Sequence, residues 1–269
     1  MTDNTDGNDS RGSISASIPR RMVLKIAGLV SILPDTFADT ARADTGRPGA
    51  QSSPGVETSG APRRVSLDGS SDQHARSVAL DGSTALIGMP PTELTAAPQD
   101  GQAVVLGQSD GAWRREATLS PDGDGGQFGR AVALDADTAV IGGELGADPT
   151  GSHAGSAAVF EREGTEWSRR ATLGAPGTEG VDLFGEAVDI AADTLLVGAS
   201  AATGDTRRGT GAAFVFSRSN QAWQRATRLV PQTDEIGEFG RAVAIDGDTA
   251  VVGARRSGTG PTENGLAVV

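Results

Sequence analysis

The chain has 269 residues, a formal net charge of -12, 37% hydrophobic residues, 38 glycines and no cysteine. The missing cysteines exclude disulfide frameworks, thiolate zinc sites and cysteine nucleophiles, and the acidic balance argues against nucleic acid as the main partner. Lys25 is the single lysine, tyrosine is absent and tryptophan occurs three times; this carboxylate-rich surface fits solubility in concentrated salt, where repulsion is screened over ~3 Å at 1 M, and points to an extreme halophile.

In chain order, a polar stretch leads into Pro19-Arg20-Arg21-Met22-Val23-Leu24-Lys25, an apolar run over residues 26–33, and then Ala41-Arg42-Ala43. This order resembles a twin-arginine export signal with cleavage after Ala43, and implies an exported, extracellular or cell-surface protein. The apolar run is too short for the ~20 residues a transmembrane helix needs, so no transmembrane span is expected. Residues 1–43 are thus expected to be a signal peptide and residues 44–62, rich in Gly, Ser, Thr and Pro, a flexible linker.

From residue 63 the chain repeats itself. Phe128-Gly129, Phe184-Gly185 and Phe239-Gly240 recur at intervals of 56 and 55 residues, and His74-Ala75 holds the same slot 54 residues before Phe128. Each slot precedes a short strand pattern, Ser77–Leu80, Ala131–Leu134, Ala187–Ile190 and Ala242–Ile245, in which small and large residues alternate. A tight turn follows, Asp81-Gly82 in the first copy and Asp246-Gly247 in the last, and Asp-Gly between strands signals a two-residue hairpin. A second strand begins at Thr84, Thr138, Thr194 or Thr249, a long polar loop leads to a third at Gly101, Gly155, Gly211 or Gly265, and Trp113, Trp167 and Trp223 open a fourth.

This pattern predicts an all-β fold: a β-propeller of four-stranded antiparallel blades, about 55 residues per repeat, with three complete blades plus a fourth partial or composite one. The expected blades cover about 74–120, 128–174, 184–230 and 239–269. Phe-Gly followed by Val-Gly-Ala at 197–199 and 252–254 resembles the FG-GAP repeat of integrin-type propellers, over roughly residues 63–269. The resemblance implies a binding module. It also implies a ring of about seven blades, which this chain does not supply. Because Arg64-Val65-Ser66-Leu67 is similar to the fourth-strand sequence Glu116-Ala117-Thr118-Leu119, the alternatives are a closed four-bladed ring completed by that segment and an open array. An open array leaves an unpaired apolar edge and predicts an oligomer.

The resemblance also implies calcium loops, but a two-residue turn such as Gly247-Asp248 cannot wrap an ion that takes six to eight ligands. Asp122, Asp124, Asp234, Glu235 and Glu238, in the acidic loops before Phe-Gly, remain weak calcium candidates; their unequal spacing favours plain solvated acidity and no cofactor. Binding is expected on the face bearing the long loops. Arg207, Arg208, Arg255 and Arg256 are candidates for an anionic glycan, against the alternative of arginines that balance local carboxylates such as Asp205. Asp189 stands where other copies carry alanine, near the expected axis; it marks either a site or a residue hydrated by a central channel. The recurring tryptophans point to blade packing before sugar stacking, and the widely separated His74 and His153 suggest no shared site. The expectation is a non-enzymatic binding or structural module for a protein or cell-surface glycan. The alternatives are a polysaccharide-cleaving propeller that uses Asp189, for which no second carboxylate is apparent, and a remnant of a larger adhesin.

Overall fold

The computed structural model describes residues 65, 67, 74–92, 101–122, 126–150, 152–175, 182–202, 210–231, 236–254, 256–257 and 265–269. The export-signal and linker sequences lie outside the described residues. Among those described there is no helix, and none is therefore long and apolar enough to cross a membrane.

Blade one comprises β1 (Ser77–Asp81), β2 (Thr84–Met89), β3 (Gln102–Ser109) and β4 (Ala112–Leu119) in the sheet order β1-β2-β3-β4. Blade two repeats this with β5 (Ala131–Asp135), β6 (Thr138–Gly143), β7 (Ser156–Glu163) and β8 (Glu166–Leu173). Blade three does so with β9 (Phe184–Ala191), β10 (Thr194–Ala199), β11 (Ala212–Ser219) and β12 (Ala222–Leu229). In the loop before blade four, β13 (Ile236–Gly237) pairs with β16 (Arg256–Ser257). Blade four itself holds three described strands, β14 (Ala242–Asp246), β15 (Thr249–Ala254) and β17 (Leu266–Val268).

Every pairing between strands of one sheet is antiparallel, and the first hairpins close with Asp81 opposite Thr84, Asp135 opposite Thr138 and Asp246 opposite Thr249. The first central residue of each such turn takes a positive φ, which Gly82 adopts at +55° and Gly247 at +53°, while Ala136 and Ala192 adopt it at +52° and +50°. The β3–β4, β7–β8 and β11–β12 pairings each carry one bulge at the same place in the repeat, which re-aims the outer strand.

The first strands lie innermost, β1 against β5, β5 against β9 and β9 against β14, while the fourth strands barely meet. Blades therefore fan out from an axis. The Val/Leu face of each blade packs on the Ala face of the blade before it. Between blades one and two, Val132, Leu134 and Ile141 meet Ala79, Leu86 and Val105; between two and three, Val188, Ile190 and Val197 meet Ala133, Val140 and Val159; between three and four, Val243, Ile245 and Val252 meet Leu196, Ala213 and Val215. Phe184 is fully buried and stands edge-on to Phe214 and Phe216, with centroids 5.5 and 6.0 Å apart, a geometry that adds to area burial. Trp167 and Trp223 flank two of these inter-blade clusters, as their recurrence predicts, while Trp113 packs on the outer face of blade one.

The array is open. Val78 and Leu80 on β1 are 56% and 53% exposed, and β14 exposes Ala242 and Ala244 on its opposite side. Among the described residues, blade four pairs with no fourth strand. Leu67 packs on blade one, against the buried cluster of Met89, Val104 and Leu106 that Trp113 also flanks.

Candidate functional site

The two ends of the array differ. At one end each blade turns in two-residue hairpins; at the other lie the long loops and the Phe-Gly turns. The second residue of each Phe-Gly turn explains its identity: Gly129, Gly185 and Gly240 have φ of +91°, +89° and +96°, and a Cβ at Gly129 would stand 2.7 Å from the Gln102 carbonyl oxygen. Only glycine combines that backbone with that approach.

The residue after Phe-Gly lies at the entry to the innermost strand, at the long-loop end. It is Arg130 in blade two, Glu186 in blade three and Arg241 in blade four. The Glu186 side chain is only 4% exposed, and its Oε1 lies 2.8 Å from Arg241 Nη1 and 3.8 Å from Arg130 Nη2. Its Oε2 accepts a hydrogen bond from Ser200 Oγ. Arg130 Nε donates at 3.0 Å to Glu144 Oε2, and Glu238 Oε2 lies 3.8 Å from Arg241. Glu144 and Ser200 occupy equivalent places just after the second strand, so blades two and three each supply an axial group and its own counter-group. Burial raises the Glu144 pKa above the usual carboxylate range, with Arg130 pulling it down and Glu186 pushing it up. Blades two to four are therefore joined at this end of the axis by alternating charges.

Asp189 lies deeper along the same axis and is 5% exposed. Its Oδ1 accepts from the Ile190 N–H at 2.9 Å and its Oδ2 from the Ile245 N–H of blade four at 2.7 Å. Backbone amides thus bond both oxygens of this carboxylate. The same job is done elsewhere from the hairpin: the Ala136 N–H donates to Asp81 Oδ2 at 2.7 Å and the Ala192 N–H to Asp135 Oδ2 at 2.6 Å. Blade three has Ala191 at that hairpin position and places its carboxylate two residues earlier.

On the hairpin end, Arg162 and Arg218 occupy equivalent places, each stacked 5.4 Å from the tryptophan beside it, Trp167 and Trp223. Arg162 bonds Asp137 of its own blade at 2.8 Å and reaches Glu116 of blade one at 3.5 Å; Arg218 bonds Asp193 at 2.7 Å and Glu161 of blade two at 2.9 Å. Burial opposes the Arg218 charge, but the hydrogen bonds to Asp193 and Glu161 outweigh it and hold its pKa above the ordinary value. A groove of about 350 Å³ beside them is lined by Glu161, Arg170, Asp193, Arg218, Asn220 and Gln221; its arginines are already paired.

Of the binding candidates read from sequence, Arg207, Arg208 and Arg255 lie outside the described residues, and Arg256 lies in β16 at the long-loop end. Among the calcium candidates, Asp124, Asp234 and Glu235 lie outside the described residues; Asp122 pairs with Arg169 at 3.4 Å and Glu238 joins the axial cluster. Among the described residues no three carboxylate or histidine groups converge as a metal site. His74 and His153 are both exposed. The axial cluster was missed from sequence, although the Arg, Glu, Arg alternation after Phe-Gly was the available signal.

Antiparallel sheets of up to four strands repeated around an axis, with Phe-Gly turns before three of the four inner strands, define a β-propeller built of repeats. A family model described as the FG-GAP repeat matches residues 113–160, 167–216 and 223–269, more than half of the chain, and the chain belongs to that family. Each matched segment runs from an outer strand into the first three strands of the next blade. Among curated proteins no match was found.

Proposed function

We propose that this chain is an exported, non-enzymatic binding module that presents its long-loop end to a protein or glycan outside the cell. The observation that carries this reading is the asymmetry of the array. Hairpins at one end are uniformly short, while the other end bears long loops of unlike sequence around a charge-locked axis. Variable loops on a rigid scaffold are the usual place for recognition, and the FG-GAP repeat supports a binding or structural role by analogy of fold. Export is supported by Arg20-Arg21, the apolar run and Ala41-Arg42-Ala43; an origin in an extreme halophile is supported by the acidic, lysine-poor composition.

The test is retention of the purified chain on cell-envelope material in molar salt, for the parent and two variants. Replacing Arg207, Arg208, Arg255 and Arg256 together by Gln lowers retention at least tenfold, whereas changing the hairpin residues Asn220 and Gln221 to Gly leaves it unchanged. Equal retention of all three proteins, or a loss confined to the hairpin variant, overturns the reading.

A further inference from the structure

We propose that the exposed face of blade four docks onto the exposed face of blade one of a second copy of this chain, head to tail, through the contact that already joins consecutive blades. This does not depend on what the long loops recognise. Three independent features of the two faces match.

The first is apolar complementarity. Inside the array a Val/Leu face always meets an Ala face. The uncovered faces are one of each kind, Val78 and Leu80 on blade one and Ala242 and Ala244 on blade four. Leu67 marks where the partner belongs. It packs on Val104, Leu106 and Trp113 as Leu119, from the outer strand of blade one, packs in the cluster of Ala158, Phe160 and Trp167 on blade two. Leu67 thus holds the place of an outer strand; among the described residues, blade one has no inner strands in front of it and blade four, with three strands, has no outer one.

The second is a pair of clefts in blade four. A methyl group at Gly88, Gly142 or Gly198 would strike the carbonyl oxygen of Gly129, Gly185 or Gly240 in the following blade. The equivalent Gly253 meets nothing closer than Ala242 Cβ at 3.4 Å. Likewise Gly101, Gly155 and Gly211 lie against the carbonyls of Phe128, Phe184 and Phe239, while Gly265 has only the Ala254 oxygen, at 3.7 Å. Both clefts are open to the backbone of a second copy, whose His74 and Ala75 hold the slot of Phe-Gly by sequence without the left-handed backbone of those glycines.

The third is a hydrogen bond waiting for its donor. Asp81 and Asp135 each take an N–H from the next blade's hairpin. Asp246 stands at the same position, exposed, and Gly82 is the residue of blade one equivalent to the donors Ala136 and Ala192. A head-to-tail contact of this kind either closes a ring of copies or extends as a filament.

The chain has no cysteine, so single thiols report the contact cleanly. Leu80 and Ala244 are equivalent to Ile245 and Asp189, whose N and Oδ2 atoms lie 2.7 Å apart. Full-length L80C and A244C variants, mixed and oxidised in molar salt, yield a two-chain disulfide species that oxidation of either variant alone does not. Adding Gly253→Ala to the A244C chain lowers that yield at least tenfold with thermal unfolding unchanged. No cross-link in the mixture, a cross-link insensitive to Gly253→Ala, or closure within one chain in the L80C/A244C double variant overturns the proposal.

Discussion

At the scale of single residues, buried charge here serves as a fastener between blades. Asp189 satisfies the Ile245 N–H in blade four, and removing it leaves a buried donor unpaired, which costs about 1–3 kcal/mol. Asp189→Ala is therefore expected to lose that much by denaturant unfolding, and Asp189→Asn, which keeps one acceptor oxygen, to lose less. The sign is different at Glu144. Its pKa is raised in the fold by burial, so its ionised form weighs against the folded state, and stability linked to this group is full below the ordinary carboxylate pKa and is lost as pH rises through the raised one. Glu144→Gln is expected to gain stability relative to the parent on going from about pH 4 to pH 7, as followed by denaturant midpoints across that range; a difference that is flat with pH would refute it. Neither role was legible in the sequence. Asp189 stood out as a departure from alanine, but its partner is an amide 56 residues away, and the meeting of Glu186 with Arg130 and Arg241 exists only once three blades share an axis.

The elements themselves were largely legible, because a hairpin is specified locally. Alternating small and large residues fixed which face of each inner strand is which, and Asp-Gly or its equivalent fixed the turn. The tryptophan and Phe-Gly intervals then set the blades in register. What local pattern could not give was the placement of Leu67, whose sequence fits any outer strand while its position is decided by which blade lies beside it. Close approach between elements makes a graded prediction. Gly142→Ala puts a methyl into the Gly185 carbonyl and should cost roughly 1–3 kcal/mol from overpacking. Gly164→Ala, with φ +66° and open space around it, should cost only about 1 kcal/mol, the backbone penalty alone. Thermal melts of the two variants give the order directly; equal losses would mean that the blades do not press together at Gly142.

For the whole molecule, 35 acidic residues against 23 basic ones set a self-repulsion that salt must screen. The arginines at the hairpin end pair with acids across blades, but those contacts are surface ones and worth little each. Raising salt from about 0.1 M to 3 M, which shortens the screening length from ~10 Å to less than ~3 Å, is expected to raise the melting temperature steadily; a protein that loses stability over that range would place the excess carboxylates elsewhere than on a shared surface. The inner strands add a direction to this picture. They run from half-exposed β1, through β5, to β9, buried at all but two of its eight positions, and back to mostly exposed β14. In a linear array where each unit touches only its neighbours, such a gradient works like a zip with two free ends and one fixed tooth. Opening proceeds inward from blades one and four, blade three exchanges its amides last, and a copy docked at either end would slow exchange first where the array is now weakest.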